Sequence, residues 1–231
     1  MKAITPALIV MAKPPVPGAV KTRLIGPLTP LAAARVHVAM LGCVLARWSC
    51  ASREVGVEMV LAMDDADSPT LPVTAEGRWR RVPQGNGSLG RRMMRVHRAL
   101  GTRRPVAFLG VDSPDVPAPA MAAVLDWLHD PPGGGVAAGS TDDGGYWTLG
   151  VSSVCPAVLR RIDWGTAVVY DQTRQAAVNA RRRWTAWPAW HDVDEYPHLR
   201  ALLARLADAD DPHLCRLRQR LAAILTEGHP P

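Results

Sequence analysis

Apolar positions fall along the chain in short continuous runs separated by longer periodic stretches. Residues 7–12, ALIVMA, form such a run, closed by the proline-rich segment after it. A run this short, apolar at successive positions and bounded by proline, predicts a strand covered on both faces. Residues 55–63 (VGVEMVLAM) and 105–112 (PVAFLGVD) read the same way, and 135–139, 145–151 and 184–187 read as further short strands. Between them the period changes. Thr29-Pro30 supplies an N-cap and a proline at the first helical position. Leu31, Ala34, Val38, Leu41, Leu45 and Trp48 then recur at helical spacing. Residues 88–100 predict a strongly basic helix, Met121, Val124, Leu125 and Leu128 another, and Leu199, Leu202, Leu203 and Leu206 another. A terminal helix over 211–226 opens at Asp211-Pro212 and stops at Gly228. Strands alternating with helices predict an α/β fold with a mostly parallel sheet and helices on both faces. No internal repeat and no dividing linker appears, so residues 1–231 read as one domain.

Composition narrows the class. The 231 residues are 48% hydrophobic and 21% charged, enough apolar content for a real core. No uninterrupted apolar run approaches the ~20 residues of a membrane span, and the run 7–12 is too short for a signal sequence. Cys43, Cys50, Cys155 and Cys215 are scattered without C-x-x-C spacing, which points to a reducing cytoplasm rather than a disulfide or zinc framework. The net charge is +6, with basic clusters at 78–81, 91–104 and 181–183. Aromatic content is only 5%, so stacking platforms for bases are scarce. The basic surface suits a phosphate-bearing small substrate better than specific nucleic-acid binding.

In an open α/β sheet, ligands bind beyond the carboxyl ends of the strands, and three loops there carry unusual residues. In AKPPVPGAVKTRL (12–24), three prolines and Gly18 stiffen a loop that delivers Lys13, Lys21 and Arg23. That arrangement suits phosphate binding, although a polyproline turn with solvated lysines has the same composition. In FLGVDSPDVP (108–117), a buried strand delivers Asp112, a hard oxygen donor for Mg²⁺ or Mn²⁺ or else a turn cap. In STDDGGYW (140–147), Asp143 precedes Gly144 and Gly145, either as an acceptor-binding general base or as a plain hairpin turn. PQGNGSLGRRM (83–93) is a glycine-rich entry to a basic helix whose N-terminus suits an anion. In HDVDEY (191–196), Asp192 and Asp194 are each a second metal ligand or a helix cap. No Ser-His-Asp, Cys-His or Walker pattern is present.

In order, AKPPVPGAVKTRL, QGNGSLGRRM, LGVDSPDVP, DDGGYWTLGV, IDWGTAVVYDQT and HDVDEYPHL resemble the motifs of the DUF2064 proteins, a bacterial family grouped with glycosyltransferases of the GT-A, nucleotide-diphospho-sugar transferase fold. The resemblance spans residues 7–206. The chain is more distantly similar to the guanylyltransferases of cofactor F420 and molybdenum-cofactor synthesis. The resemblance implies a Rossmann-like GT-A fold in which Lys13, Gly18, Lys21, Arg23, Gln84, Gly85 and Gly87 contact a nucleotide. It also implies that Asp112 and Asp194 hold the metal and that Asp143, Gly144, Gly145 and Tyr146 form the acceptor side. Two motifs depart from the family pattern: Ser88 replaces a usual aspartate, and Glu195-Tyr196-Pro197-His198-Leu199 stands where T-P-E-D-L usually follows the DVD triplet.

The expectation is a metal-dependent transferase with Asp112, Asp143, Lys21 and Arg23 as its catalytic residues, Mg²⁺ or Mn²⁺ as cofactor, and a nucleotide-activated donor and an unidentified acceptor as partners. Lys21 and Arg23 are expected to face solvent before ligand arrives. Glycosyl transfer from a nucleotide-diphospho-sugar is the first reading. Nucleotidyl transfer from a nucleoside triphosphate is the alternative, and a non-catalytic nucleotide or polyanion binder is the third.

Overall fold

The computed structural model describes residues 4–64 and 79–227. Asp65, Arg78 and Gly228, read above as parts of an acidic turn, a basic cluster and a helix stop, lie outside the described residues. The first apolar run is strand β1 (Ala7–Met11), followed by a 3-10 turn at Thr22–Leu24 and helix α1 (Pro30–Ala51). Then come β2 (Glu58–Ala62), β3 (Trp79–Val82), α2 (Leu89–Leu100), β4 (Val106–Leu109) and α3 (Ala118–His129). The chain continues through β5 (Val136–Thr141), β6 (Tyr146–Val151), a 3-10 turn at Pro156–Val158 and α4 (Val169–Asn179). It ends with β7 (Trp184–Trp190), α5 (Tyr196–Arg205) and α6 (Pro212–Glu227).

The seven strands form one sheet in the order β3-β2-β1-β4-β6-β5-β7. All neighbours run parallel except β6, which is antiparallel to both β4 and β5. Alternate residues of each strand face opposite layers. Leu8, Val10, Leu61, Ala107 and Leu109 pack with residues of α1, α3, α5 and α6. Ala7, Ile9, Val60, Phe108 and Leu149 pack against Met93, Met94 and Val96 of α2 and Ala177 of α4. Covering both faces explains why the strands read as continuous apolar runs. The expected α/β architecture, a mostly parallel sheet between two helical layers, is the one observed.

Helix α1 begins as its cap dictates: the Thr29 hydroxyl accepts from the Ala32 amide at 3.2 Å, with Pro30 at the first turn. By length and composition this helix qualifies as long and apolar enough to cross a membrane, but 78% of its apolar window is buried inside the protein. It is the core helix, packed between the sheet and α6. Strand β7 runs three residues beyond the expected 184–187. Pro188 is tolerated because β7 pairs only with β5 and is an edge strand.

Two arginines, the buried Arg47 and the half-buried Arg205, position the loop after β4. Arg47 of α1 donates to the carbonyls of Pro114 and Val116 at 2.9 and 2.8 Å and to Asp211 at 2.7 Å. Asp115 is itself buried; it accepts from Arg205 at 2.7 Å and from the Trp190 indole at 3.2 Å. The second aspartate of DSPD is therefore a structural clamp between β7, α5 and the loop that presents Asp112.

Candidate active site

The loops following β1, β4 and β7 meet beyond the carboxyl edge of the sheet. The Val193 amide donates to the Asp112 carbonyl at 2.9 Å, locking the HDVDE segment against the loop of β4. Lys21 enters this junction. Its backbone is left-handed (φ 47°), which turns the side chain inward until only 5% of it is exposed. The ammonium lies 2.5 Å from Asp112 Oδ1 and 3.6 Å from Asp194 Oδ1, and it donates to the Val193 carbonyl. Arg23 stays at the surface, 62% exposed, and reaches Asp194 Oδ2 at 3.2 Å.

The expectation that both cations face solvent therefore holds for Arg23 and fails for Lys21. The reason is electrostatic: the Val193 carbonyl accepts from the ammonium and two carboxylates pair with it, which offsets its lost hydration.

Two contiguous cavities open here. The larger, about 420 Å³, is lined among others by Lys13, Lys21, Arg23, His37, Gln84, Arg92, Asp112 and Asp194. The smaller, about 160 Å³, is lined among others by Asp112, Asp143, Gly145, Tyr146, Asp192, Asp194 and Thr166. Asp112, Asp194, Tyr146, Leu89 and Gly110 border both.

Carboxylate oxygens of Asp143, Asp192 and Asp194 lie within 4.8 Å of one another. Partial burial and the charges of Asp143 and Asp194 push the Asp192 carboxyl up to about 6. A concentration of hard oxygen donors whose mutual repulsion raises a pKa fits Mg²⁺ or Mn²⁺ chemically. Asp112 is not in this trio; it meets Asp194 through Lys21.

Asp143 is also a turn residue. Its Oδ1 accepts from the Thr141 hydroxyl at 2.6 Å and the Gly145 amide at 2.8 Å, closing the β5–β6 hairpin. The turn reading is the one observed, and the turned residue also lines the smaller cavity. Gly144 has a packing reason: at φ 82°, an added Cβ would lie 2.0 Å from the Ala167 carbonyl oxygen.

Other expected contacts are committed elsewhere. Gln84 is buried; its amide nitrogen donates to the carbonyls of Ala12 and Ala62 at 2.7 and 2.6 Å, and its oxygen accepts from Arg92 at 2.8 Å. It ties the ends of β1 and β2 together rather than presenting its amide to a ligand. The Gly85 amide is likewise taken by Asp64, at 2.5 Å. Gly18 (φ 82°) and Gly87 (φ 116°) supply left-handed turns. Lys13 is exposed, and its carbonyl accepts from His37 Nε2 at 3.0 Å. Tyr146 packs edge-on against Trp164, with its hydroxyl fully buried. Desolvation pushes the phenol well above its usual range, and the residue forms part of the wall of the smaller cavity.

The sequence model of DUF2064, described as "Uncharacterized protein conserved in bacteria", matches residues 47–166, more than half of the chain and inclusive of Gln84, Asp112 and Asp143. The chain belongs to this family. Among curated proteins, none matches. Across solved structures, this DUF2064 chain is similar to a protein from Desulfovibrio desulfuricans G20 described as a nucleotide-diphospho-sugar transferase, at 26% identity over 96% of both chains with a TM-score of 0.75. It shares its fold with 4-diphosphocytidyl-2C-methyl-D-erythritol synthase (14% identity, 89% of this chain and 99% of that one, TM-score 0.57). A cytidylyltransferase from Leptospira borgpetersenii serovar Hardjo-bovis is a further fold relative (12% identity, 96% and 97%, TM-score 0.50).

Within the DUF2064 cleft, two further residues line the donor cavity: Arg92, which sequence marks only as part of a basic helix entry, and His37, for which sequence offers no signal. Arg92 carries a buried Nε without a partner. His37 is buried, and desolvation lowers its pKa, so a neutral ring borders the larger cavity. The helical spacing of both is the ordinary one for α2 and α1, and only the packing of those helices brings them to the cleft.

Proposed function

We propose that this protein is a transferase that binds a nucleotide-activated donor in the larger cavity and an acceptor in the smaller one. The finer reading is glycosyl transfer from a nucleotide-diphospho-sugar. The observation that carries it is the convergence of Lys21 and Arg23 with Asp112 and Asp194 at the border of two contiguous cavities. Cations for a diphosphate and carboxylates for a divalent ion belong at that junction, because the scissile bond must lie there.

Asp194 with Asp143 and Asp192 would hold Mg²⁺ or Mn²⁺, with Asp112 joining once Lys21 turns to phosphate. The ion would neutralise charge on the diphosphate oxygens. Lys21 and Arg23 orient the diphosphate and offset charge on the departing group. Asp143 is placed to accept the proton of the acceptor hydroxyl. Leu89 and Tyr146 wall the shared border and keep water from the bond. The four free cysteines suit a reducing compartment such as the cytoplasm.

One observation favours nucleotidyl transfer from a triphosphate instead. Arg92 joins Lys13, Lys21 and Arg23 as a fourth cation lining the donor cavity, more positive charge than a diphosphate needs. Product analysis separates the two: glycosyl transfer releases a nucleoside diphosphate, and nucleotidyl transfer releases pyrophosphate. Turnover of no nucleotide sugar and no nucleoside triphosphate, with or without Mn²⁺, refutes both.

A further inference from the structure

A pocket of about 560 Å³ lies beside the first turn of α2, lined by Ser88, Arg91, Met94, Arg160 and Arg161. Among the described residues, none of these three guanidinium groups has a carboxylate or a hydrogen-bond partner. Asp163, the acid nearest in sequence, is occupied by Gln172, whose amide donates to it at 2.7 Å. Three exposed arginines around one cavity concentrate positive charge that an anion would neutralise. The placement on α2 points the same way. Its first turn holds Arg91 and no acid, and Ser88 makes no capping hydrogen bond, whereas helix starts favour negative charge.

We propose that Arg91, Arg160 and Arg161 form an anion subsite that takes a phosphate-type group carried by the acceptor. The inference rests on the transferase reading for the word acceptor; the anion site itself does not. Three features tie the pocket to the acceptor side. Leu89, next to Ser88, lines the smaller cavity. At Gly90, an added Cβ would lie 1.9 Å from the Leu159 carbonyl and 2.8 Å from Trp164, so α2 and the 159–164 segment touch there. Trp164 in turn lines the smaller cavity. An acceptor seated beside Asp143 can therefore extend past Trp164 towards the arginines. Guanidinium forks match phosphate oxygens in pairs. Among the described residues, no aromatic ring lines the arginine pocket, which disfavours stacked bases and hence single-stranded nucleic acid.

Amide NMR with inorganic phosphate as probe tests this. Phosphate should shift the amides of residues 88–92 and 159–162 saturably, and chloride at equal ionic strength should not. The pair Arg160→Ala and Arg161→Ala, and separately Arg91→Ala, should weaken those shifts at least about tenfold while donor-induced shifts near Lys21 and Arg23 persist. In an acceptor panel, the same variants should raise KM for phosphorylated members, leaving the donor KM and the dephosphorylated members unchanged. Phosphate shifts that survive the arginine substitutions overturn the subsite even where the donor binds normally. Phosphate binding at the arginines with no donor turnover in any form removes the transferase reading and leaves the anion site. An oligonucleotide that produces the same shifts and stays bound at physiological salt overturns the acceptor assignment in favour of nucleic acid.

Discussion

Lys21→Ala separates a structural role for the buried ammonium from a merely surface one. The substitution keeps Cβ, so the left-handed backbone at φ 47° is equally strained in both proteins, and the change isolates the charge. Removing one partner of a well-buried ion pair costs about 3–5 kcal/mol, and an exposed pair is worth only about 0–1 kcal/mol. Lys21 is 5% exposed, but Asp112 and Asp194 are 46% and 29% exposed, so water screens much of their loss. The expected cost lies between the limits, about 1–3 kcal/mol. For a chain of this length, that lowers Tm by roughly 3–10 °C. Differential scanning calorimetry in low salt without divalent ions measures it. Mn²⁺ binding by titration calorimetry should move the other way, because the ion no longer competes with an ammonium for Asp112 and Asp194, while donor affinity should fall. A variant with unchanged Tm and unchanged Mn²⁺ affinity refutes the placement of Lys21 between the two carboxylates.

Gly144→Ala sets a Cβ 2.0 Å from the Ala167 carbonyl and should destabilise the fold by more than about 2 kcal/mol, since the backbone there must shift; urea unfolding reads this, and a neutral result contradicts the packing. Asp192→Asn should flatten the pH dependence of stability. Its folded pKa of about 6 is raised from 3.8, so between those values the native state binds more protons than the unfolded chain, and wild-type stability falls as pH rises through that window; a slope unchanged by the substitution denies the carboxylate crowding. Asp143→Asn should slow transfer by about 10²–10⁴-fold at saturating donor and Mn²⁺, the loss expected of a general base, with equal single-turnover rates as the contrary result. Arg47→Met should lower stability by about 3 kcal/mol, because two carbonyls and Asp211 lose their donor together; thermal unfolding measures it, and a fall under 1 °C contradicts the clamp.

The elements that sequence made legible are those whose burial is uniform. β1, β2 and β4 are covered by helices on both sides and read as unbroken apolar runs, and Thr29-Pro30 marks the start of α1 by its own local chemistry. β3 was not legible: it is an edge strand whose Arg80 and Arg81 point outward, so its residues resembled a basic cluster. α4 was missed because its buried stripe is only Val169, Thr173 and Ala177, too narrow to stand out from YDQTRQ. The reversed direction of β6 leaves no trace in periodicity. At the site, the loops carrying Asp112, Asp143 and Asp194 were legible from their position after strands, and family motifs pointed to the same residues. The burial of Lys21, the engagement of Gln84 and the clamp at Asp115 were not, since each depends on partners from distant segments that only the folded sheet brings together.

The most direct test is thermal unfolding of the wild type and Asp112→Asn with a panel of nucleotide sugars and nucleoside triphosphates, each with Mn²⁺ and with EDTA. At a hundredfold excess over Kd, a bound donor adds about 2.7 kcal/mol to the folded state. One class of nucleotide should raise the wild-type Tm by roughly 5–10 °C with Mn²⁺, with a much smaller rise in EDTA and a reduced Mn²⁺-dependent rise in Asp112→Asn. No shift with any nucleotide, or an equal shift in EDTA and in Asp112→Asn, contradicts the claim that this cleft holds a nucleotide-activated donor through a metal on its carboxylates.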